Sequence, residues 1–222
     1  TSSYSIGNNN SYREHNYSNK IRKKRMSVKK SILFLASAFF AALLLSGCVS
    51  LGQPEEKISR NLAGKGIKTQ NELYNFFVSE NPDADRATVK RMATLYIQEA
   101  AEEGINSDCA FVQMCLETGF LRFGGLVTPQ MHNYCGLGAI DETQRGEVFL
   151  TERDGVRAHI QHLHAYATTE DKILKNECID RRYKYVKPRG KAQTIAGLSG
   201  TWAADPSYAV KLENLISRLE KF

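Results

Sequence analysis

The amino-acid sequence predicts a mostly α-helical domain with one small β element. Three observations carry that reading. Apolar side chains recur at three- and four-residue spacing in four separate runs between residues 69 and 167. Most of these runs are bracketed by Thr, Ser or Asp at the start and by Gly or Asn at the end, which are helix start and stop signals. Between the third and fourth runs lies a Gly-rich, aromatic stretch, 119–138, followed by a short polar segment that can form a hairpin.

Taken in order, Thr69 to Ser79 places Leu73, Phe76 and Phe77 on one helical face, and Asn81-Pro82-Asp83 breaks it. Asp85 can cap a longer helix that carries Val89, Met92, Tyr96, Ile97 and Ala100 and stops at Gly104. Ser107 or Asp108 then caps a third helix, CAFVQMCLETG, and the short link Gly104-Ile105-Asn106 makes a helical pair with the second. Gly146 to Leu150 suits a short strand or hairpin edge. Asp154 can cap a fourth helix with Val156, Ile160, Leu163 and Ala167 inward. Residues 178–190 read as a basic, aromatic loop, and Thr194–Trp202 and Pro206–Leu219 as helices.

The third helix holds the residue of greatest interest. Glu117 ends an apolar face built by Cys109, Val112 and Leu116, and Thr118-Gly119 follow at once. A Glu in the last turn of a helix is ordinarily turned to solvent. A Glu held on the apolar side is desolvated, which raises its pKa toward the range a general acid needs. Spacing alone leaves both readings open.

Charge excludes one class of function. The chain has 222 residues and a net charge of +6, but residues 1–30 hold eight of its 30 basic and one of its 24 acidic side chains, leaving 22 against 23. The remainder is near neutral, so no nucleic-acid partner is expected. The leader has its own logic. Residues 1–25 are polar and read as an upstream segment without function. Met26 opens a positive start, and Ser31–Leu45 is an apolar run of about 15 residues, short of the roughly 20 that span a bilayer. The ending Leu45-Ser46-Gly47-Cys48 resembles a bacterial lipobox, which implies a signal peptide over 26–47, lipidation of Cys48, and an exported protein anchored to a bacterial membrane. Residues 48–68 are expected to be a tether and 69–222 the domain. Cys109, Cys115, Cys135 and Cys178 leave open disulfides such as Cys115–Cys135 or Cys109–Cys178, or buried thiols. His159, His162 and His164 show no acidic partner or further ligand that would complete a metal site, and no metal or cofactor is expected.

Four segments occur in a fixed order: Glu117-Thr118-Gly119-Phe120; Asn133-Tyr134-Cys135-Gly136-Leu137-Gly138; Gly155 through Leu163; and Trp202 through Ala209. Together with Arg182-Tyr183-Lys184-Tyr185-Val186-Lys187, they resemble the bacterial glucosaminidase domain of glycoside hydrolase family 73. The resemblance covers about Leu73 to Leu219. It implies a lysozyme-like, α-rich fold with a glycan groove and hydrolysis of β-1,4 bonds between N-acetylglucosamine and N-acetylmuramic acid in peptidoglycan, by a monomer. It implies Glu117 as general acid, Asn133, Tyr134 and Gly136 as groove contacts, and Tyr208 facing the catalytic centre. Tyr134, Trp202 and Tyr208 can each be a core aromatic or a sugar-stacking surface. The family's second acidic residue sits on a hairpin, where this chain offers Asp141, Glu142 and Glu147 without a motif to choose among them. Two carboxyls stand roughly 5 Å apart in retaining and 6.5–9.5 Å apart in inverting glycosidases. If none serves, the substrate N-acetyl group is an alternative nucleophile. Muramidase or lytic transglycosylase cleavage, and a non-catalytic peptidoglycan-binding lipoprotein, are the competing functions.

Overall fold

The computed structural model describes residues 56–222, which form one compact unit. The expected signal peptide and the expected lipidation residue Cys48 lie outside the described residues. The helices are α1 (Gln70–Glu80), α2 (Arg86–Glu103), α3 (Ser107–Thr118), α4 (Glu152–Ala167) and α5 (Tyr208–Leu219), with a hairpin of β1 (Ala139–Asp141) and β2 (Gln144–Arg145) between α3 and α4. The expected mostly helical class with a small antiparallel sheet is what the chain adopts. Among the described residues no helix is long and apolar enough to cross a membrane.

Local chemistry explains the ends. Thr69 and Glu72 form a reciprocal capping box at the start of α1. Asp85 caps α2, and Gly104, at φ +67°, closes it in the left-handed region that favours glycine. At α3 the cap is Asn106, one residue before those expected; its side chain accepts from the N–H groups of Asp108 and Cys109. Asp108 is instead turned to the backbone N–H groups of Ile67 and Lys68. At α4 the cap is Thr151, and Asp154 is bonded to it inside the first turn. The hairpin lies before Gly146, so 146–150 is extended chain and not its edge. Thr194–Trp202 holds only a 3₁₀ turn, Ile195–Leu198.

α3 is the centre of the molecule. Every residue from Ser107 to Cys115 is buried, and α1, α2, α4 and α5 all pack on it. α2 and α4 are tied by Glu99, 2 % exposed, which pairs with Arg153 and with Arg157 Nε at 2.8 Å. Gly155 lets α4 lie against the loop before the hairpin, since a Cβ there would stand 1.7 Å from the His132 carbonyl oxygen. Cys109, Cys115 and Cys135 are buried free thiols and Cys178 an exposed one, so neither disulfide forms.

The expected tether needs correction. From Glu56 onward it belongs to the domain. Ile58 and Leu62 are buried in the core. Leu62 and Asn106 share a backbone hydrogen bond of 2.8 Å, and Ile195 N–H donates to the Arg60 carbonyl at 3.0 Å. Arg60 pairs with Glu213 of α5 and with Glu220, the residue that caps its C-terminal end. Composition hid this, because the two apolar residues are embedded among Gly, Lys and Glu.

Candidate active site

Glu117 occupies the last turn of α3. Gly119, at φ +57°, ends the helix, and its N–H donates to the carbonyls of Cys115 and Leu116. Phe120, Leu121 and Phe123 then take positive φ near +56° to +59°, a conformation that costs non-glycine residues energy. Thr118 Oγ1 accepts from Leu121 N–H at 2.9 Å, and Asn81 donates to the Phe120 carbonyl at 2.8 Å. The chain is thus turned sharply away just after the carboxylate.

Glu117 is exposed as a whole residue, yet its carboxyl group is ringed by protein. Desolvation raises its pKa, and hydrogen bonds from Tyr208 and Trp202 partly offset that rise. Both donors meet the same oxygen: the Tyr208 hydroxyl and the Trp202 indole N–H, the latter at 3.1 Å, donate to Oε1. Indole N–H is a donor only. Oε1 is therefore saturated with incoming hydrogens, and a proton on Glu117 sits on Oε2. Oε2 accepts no hydrogen bond among the described residues. It lies 3.9 Å from where a Cβ on Gly136 would stand, and Gly136 at φ +68° adds no side chain.

The other expected site residues divide. Trp202 and Tyr208 come directly onto Glu117, and Gly136 abuts it. Tyr208 is 5 % exposed, so it holds the carboxyl group and offers no open ring face. Asn133 is 1 % exposed, and its amide is bonded to the backbone of Leu137 and Glu147. It braces the loop that carries Gly136 and is not a groove contact. Tyr134 is buried beneath Gly155 and forms part of the wall of a cavity of about 650 Å³ shared with Asp85, Phe123, His132 and Glu152. Glu117 is not among that cavity's walls.

The hairpin carboxylates also separate. Asp141 Oδ1 accepts from Thr143 and Gln144 within its own turn. Glu142, with 81 % of its side chain exposed, pairs with Arg145. Glu147 is more sheltered, pairs with Arg181 at 3.3 Å and packs beside Gly138. None of the three bonds to Glu117 or to its two donors.

The histidines of α4 each have their own partners. His162 Nδ1 is 2.7 Å from Asp180, and His164 Nδ1 is 3.0 Å from the Tyr183 hydroxyl. His159 lies between Tyr96 and Gln113. Gln113 is a residue that the sequence reading passed over. Its signal was present, since it is a polar residue one helical turn before Glu117 in an otherwise apolar run.

A family model for the glucosaminidase domain, described as mannosyl-glycoprotein endo-beta-N-acetylglucosaminidase, matches residues 93–221. The chain belongs to the glucosaminidase family. This glucosaminidase is 38 % identical over 168 residues to a protein of Borreliella burgdorferi described as uncharacterized, covering 76 % of this chain and 81 % of that protein. It is also similar to crystal structures of S. aureus Autolysin E. One, in complex with muropeptide NAM-L-ALA-D-iGLU, has a TM-score of 0.46 and 12 % identity, covering 74 % of each chain. The other, a catalytic mutant with disaccharide NAG-NAM, has a TM-score of 0.48 and 10 % identity, covering 75 % of this chain and 73 % of that one. The family match spans Glu117, Gly136, Trp202 and Tyr208 together.

Proposed function

We propose that this glycoside hydrolase cleaves β-1,4 bonds of peptidoglycan glycan strands, as an endo-β-N-acetylglucosaminidase, with Glu117 as general acid. One observation carries the assignment: a desolvated carboxyl group held through Oε1 by two donors, with Oε2 left open beside a glycine. Desolvation raises the Glu117 pKa and so favours the protonated form that a general acid uses. Oε2 then delivers that proton to the glycosidic oxygen as the bond to the anomeric carbon breaks. Tyr208 and Trp202 stabilise the carboxylate left behind. A purely glycan-binding protein has no use for such an arrangement, which speaks against the non-catalytic reading.

The assignment is tested with Glu117→Gln, which keeps shape and hydrogen-bonding capacity but has no acid proton to give. Lysis of purified cell wall should fall roughly a hundredfold or more with an unchanged circular dichroism spectrum. Undiminished lysis by the folded variant removes the mechanism. Mass spectrometry of the released fragments distinguishes glucosaminidase from muramidase or lytic transglycosylase by the sugar that bears the new end.

We also propose that the domain acts from a membrane surface through lipidated Cys48. The support is the Leu45-Ser46-Gly47-Cys48 sequence behind a positive, apolar leader. Two or more acyl chains hold a protein far more firmly than one.

A further inference from the structure

Behind Glu117 runs a line of buried polar side chains that the proposed proton transfer does not itself require. Tyr96 and His159 are fully buried, Gln113 is 1 % exposed, and they come from three helices, α2, α4 and α3. The Tyr96 hydroxyl lies 2.8 Å from His159 Nδ1. His159 Nε2 lies 3.1 Å from Gln113 Oε1. Gln113 Nε2 donates to the Tyr208 hydroxyl at 2.9 Å, and Tyr208 donates to Glu117 Oε1.

The line has a direction. An amide cannot move its hydrogens: its nitrogen only donates and its oxygen only accepts. Gln113 Oε1 therefore needs the hydrogen on His159 Nε2, which leaves Nδ1 as an acceptor for the Tyr96 hydroxyl. Tyr208, having received from Gln113, has one hydrogen to give, and Glu117 takes it. Turning the amide over reverses every step. His159 would then donate through Nδ1 to Tyr96, whose own buried hydrogen has no other acceptor among the described residues. Leaving a buried donor unpaired is costly. The orientation that ends on Glu117 satisfies every member. Burial also lowers the His159 pKa to about 3, so the imidazole stays neutral and keeps one tautomer.

We propose that Gln113, His159 and Tyr96 are positioning residues for the general acid, a one-way donor chain that commits the Tyr208 hydrogen to Glu117 Oε1 and so reserves Oε2 for the transferred proton. The proposal rests on the reading of Glu117 as that acid. It predicts that disturbing the chain slows the chemical step, leaves substrate binding alone, and acts only through Tyr208.

The test is a double-mutant cycle on the full chain with purified cell wall as substrate. Gln113→Met, which keeps the volume and loses the amide, should lower kcat on the order of tenfold with KM unchanged, the scale of one buried hydrogen bond. Its alkaline limb of kcat/KM should move up toward that of Tyr208→Phe. In the Tyr208→Phe background, Gln113→Met should change kcat by less than about twofold, since the group it acts through is gone. Tyr96→Phe, which retains the ring, is the milder second variant and should show the same dependence on Tyr208 if Gln113→Met fails to fold. Losses that persist undiminished in the Tyr208→Phe background, or kcat and pH profile unmoved in both variants, overturn the chain. The Glu117→Gln control separates this from failure of the acid assignment: active Glu117→Gln removes the acid, whereas inactive Glu117→Gln with an additive cycle removes only the chain.

Discussion

Glu117 owes its chemistry to two opposed effects of comparable kind. Burial by the end of α3 and its neighbours raises its pKa, and two hydrogen bonds to Oε1 pull it back. Trp202 exposes the balance. Its ring also packs on His162 and Tyr166, at centroid distances of 5.1 Å, so Trp202→Phe keeps an aromatic wall and removes one donor. The lost hydrogen bond stabilised the charged form, so the Glu117 pKa rises and the protonated acid survives to higher pH. Initial rates of reducing-end release across a pH series should show the alkaline limb of kcat/KM displaced upward. A limb that stays in place or moves down shows that the indole does not hold the acid. At this scale Glu117 was legible because its Thr-Gly neighbours are a local pattern. Gln113 stood out only as a polar residue in an apolar run, and the roles of Gln113 and His159 were not legible, because those roles consist of partners on other helices. Asn133 was legible as a motif residue only, since nothing in its sequence neighbourhood says that its amide closes on the backbone of its own loop.

Among the elements, the segment 56–66 departs most from its composition. Ile58 and Leu62 enter the core, and Arg60 reaches one carboxylate within α5, the helix that presents Tyr208, and one at its C-terminal cap. A chain beginning at Glu56 should therefore be distinctly more stable than one beginning at Thr69. Leu62→Ala in the longer chain should cost about 2–5 kcal/mol, as for other buried leucines. Denaturant midpoints of the three proteins measure this. Equal midpoints for the two starting points return the segment to the role of tether. Helix existence was readable from apolar period and from Thr69, Asp85 and Gly104. The caps at Asn106 and Thr151 were misplaced by one and three residues, because Asn106 shares its neighbourhood with Ser107 and Asp108, and Thr151 with Asp154. All of these are capping residue types, and only the backbone turn selects among them.

For the molecule as a whole, the domain boundary at Glu56 changes its proposed working range. Only residues 49–55 separate Cys48 from it, a covalent reach of at most about 27 Å. Under the proposed lipid anchoring, an enzyme held so closely would work on wall adjacent to its own membrane. Cys48→Ser should abolish lipidation and move the protein out of the detergent phase, while wall hydrolysis by the purified domain is unchanged. A Cys48→Ser protein that still partitions with membranes and retains residues 26–47 identifies Ser31–Leu45 as an uncleaved anchor. The sequence by itself determined the helical class and the family and singled out Glu117 as the proposed acid, because apolar period, capping chemistry and the order of four short motifs are all local along the chain. Tertiary structure decided the rest. It alone placed Trp202 and Tyr208 on one oxygen of Glu117, set Gly136 against the other, and joined Tyr96, His159 and Gln113 behind them. The hydrogen-bond partners of this site, up to 95 residues apart in the chain, meet only when the helices pack, and packing directions are not written in any one segment.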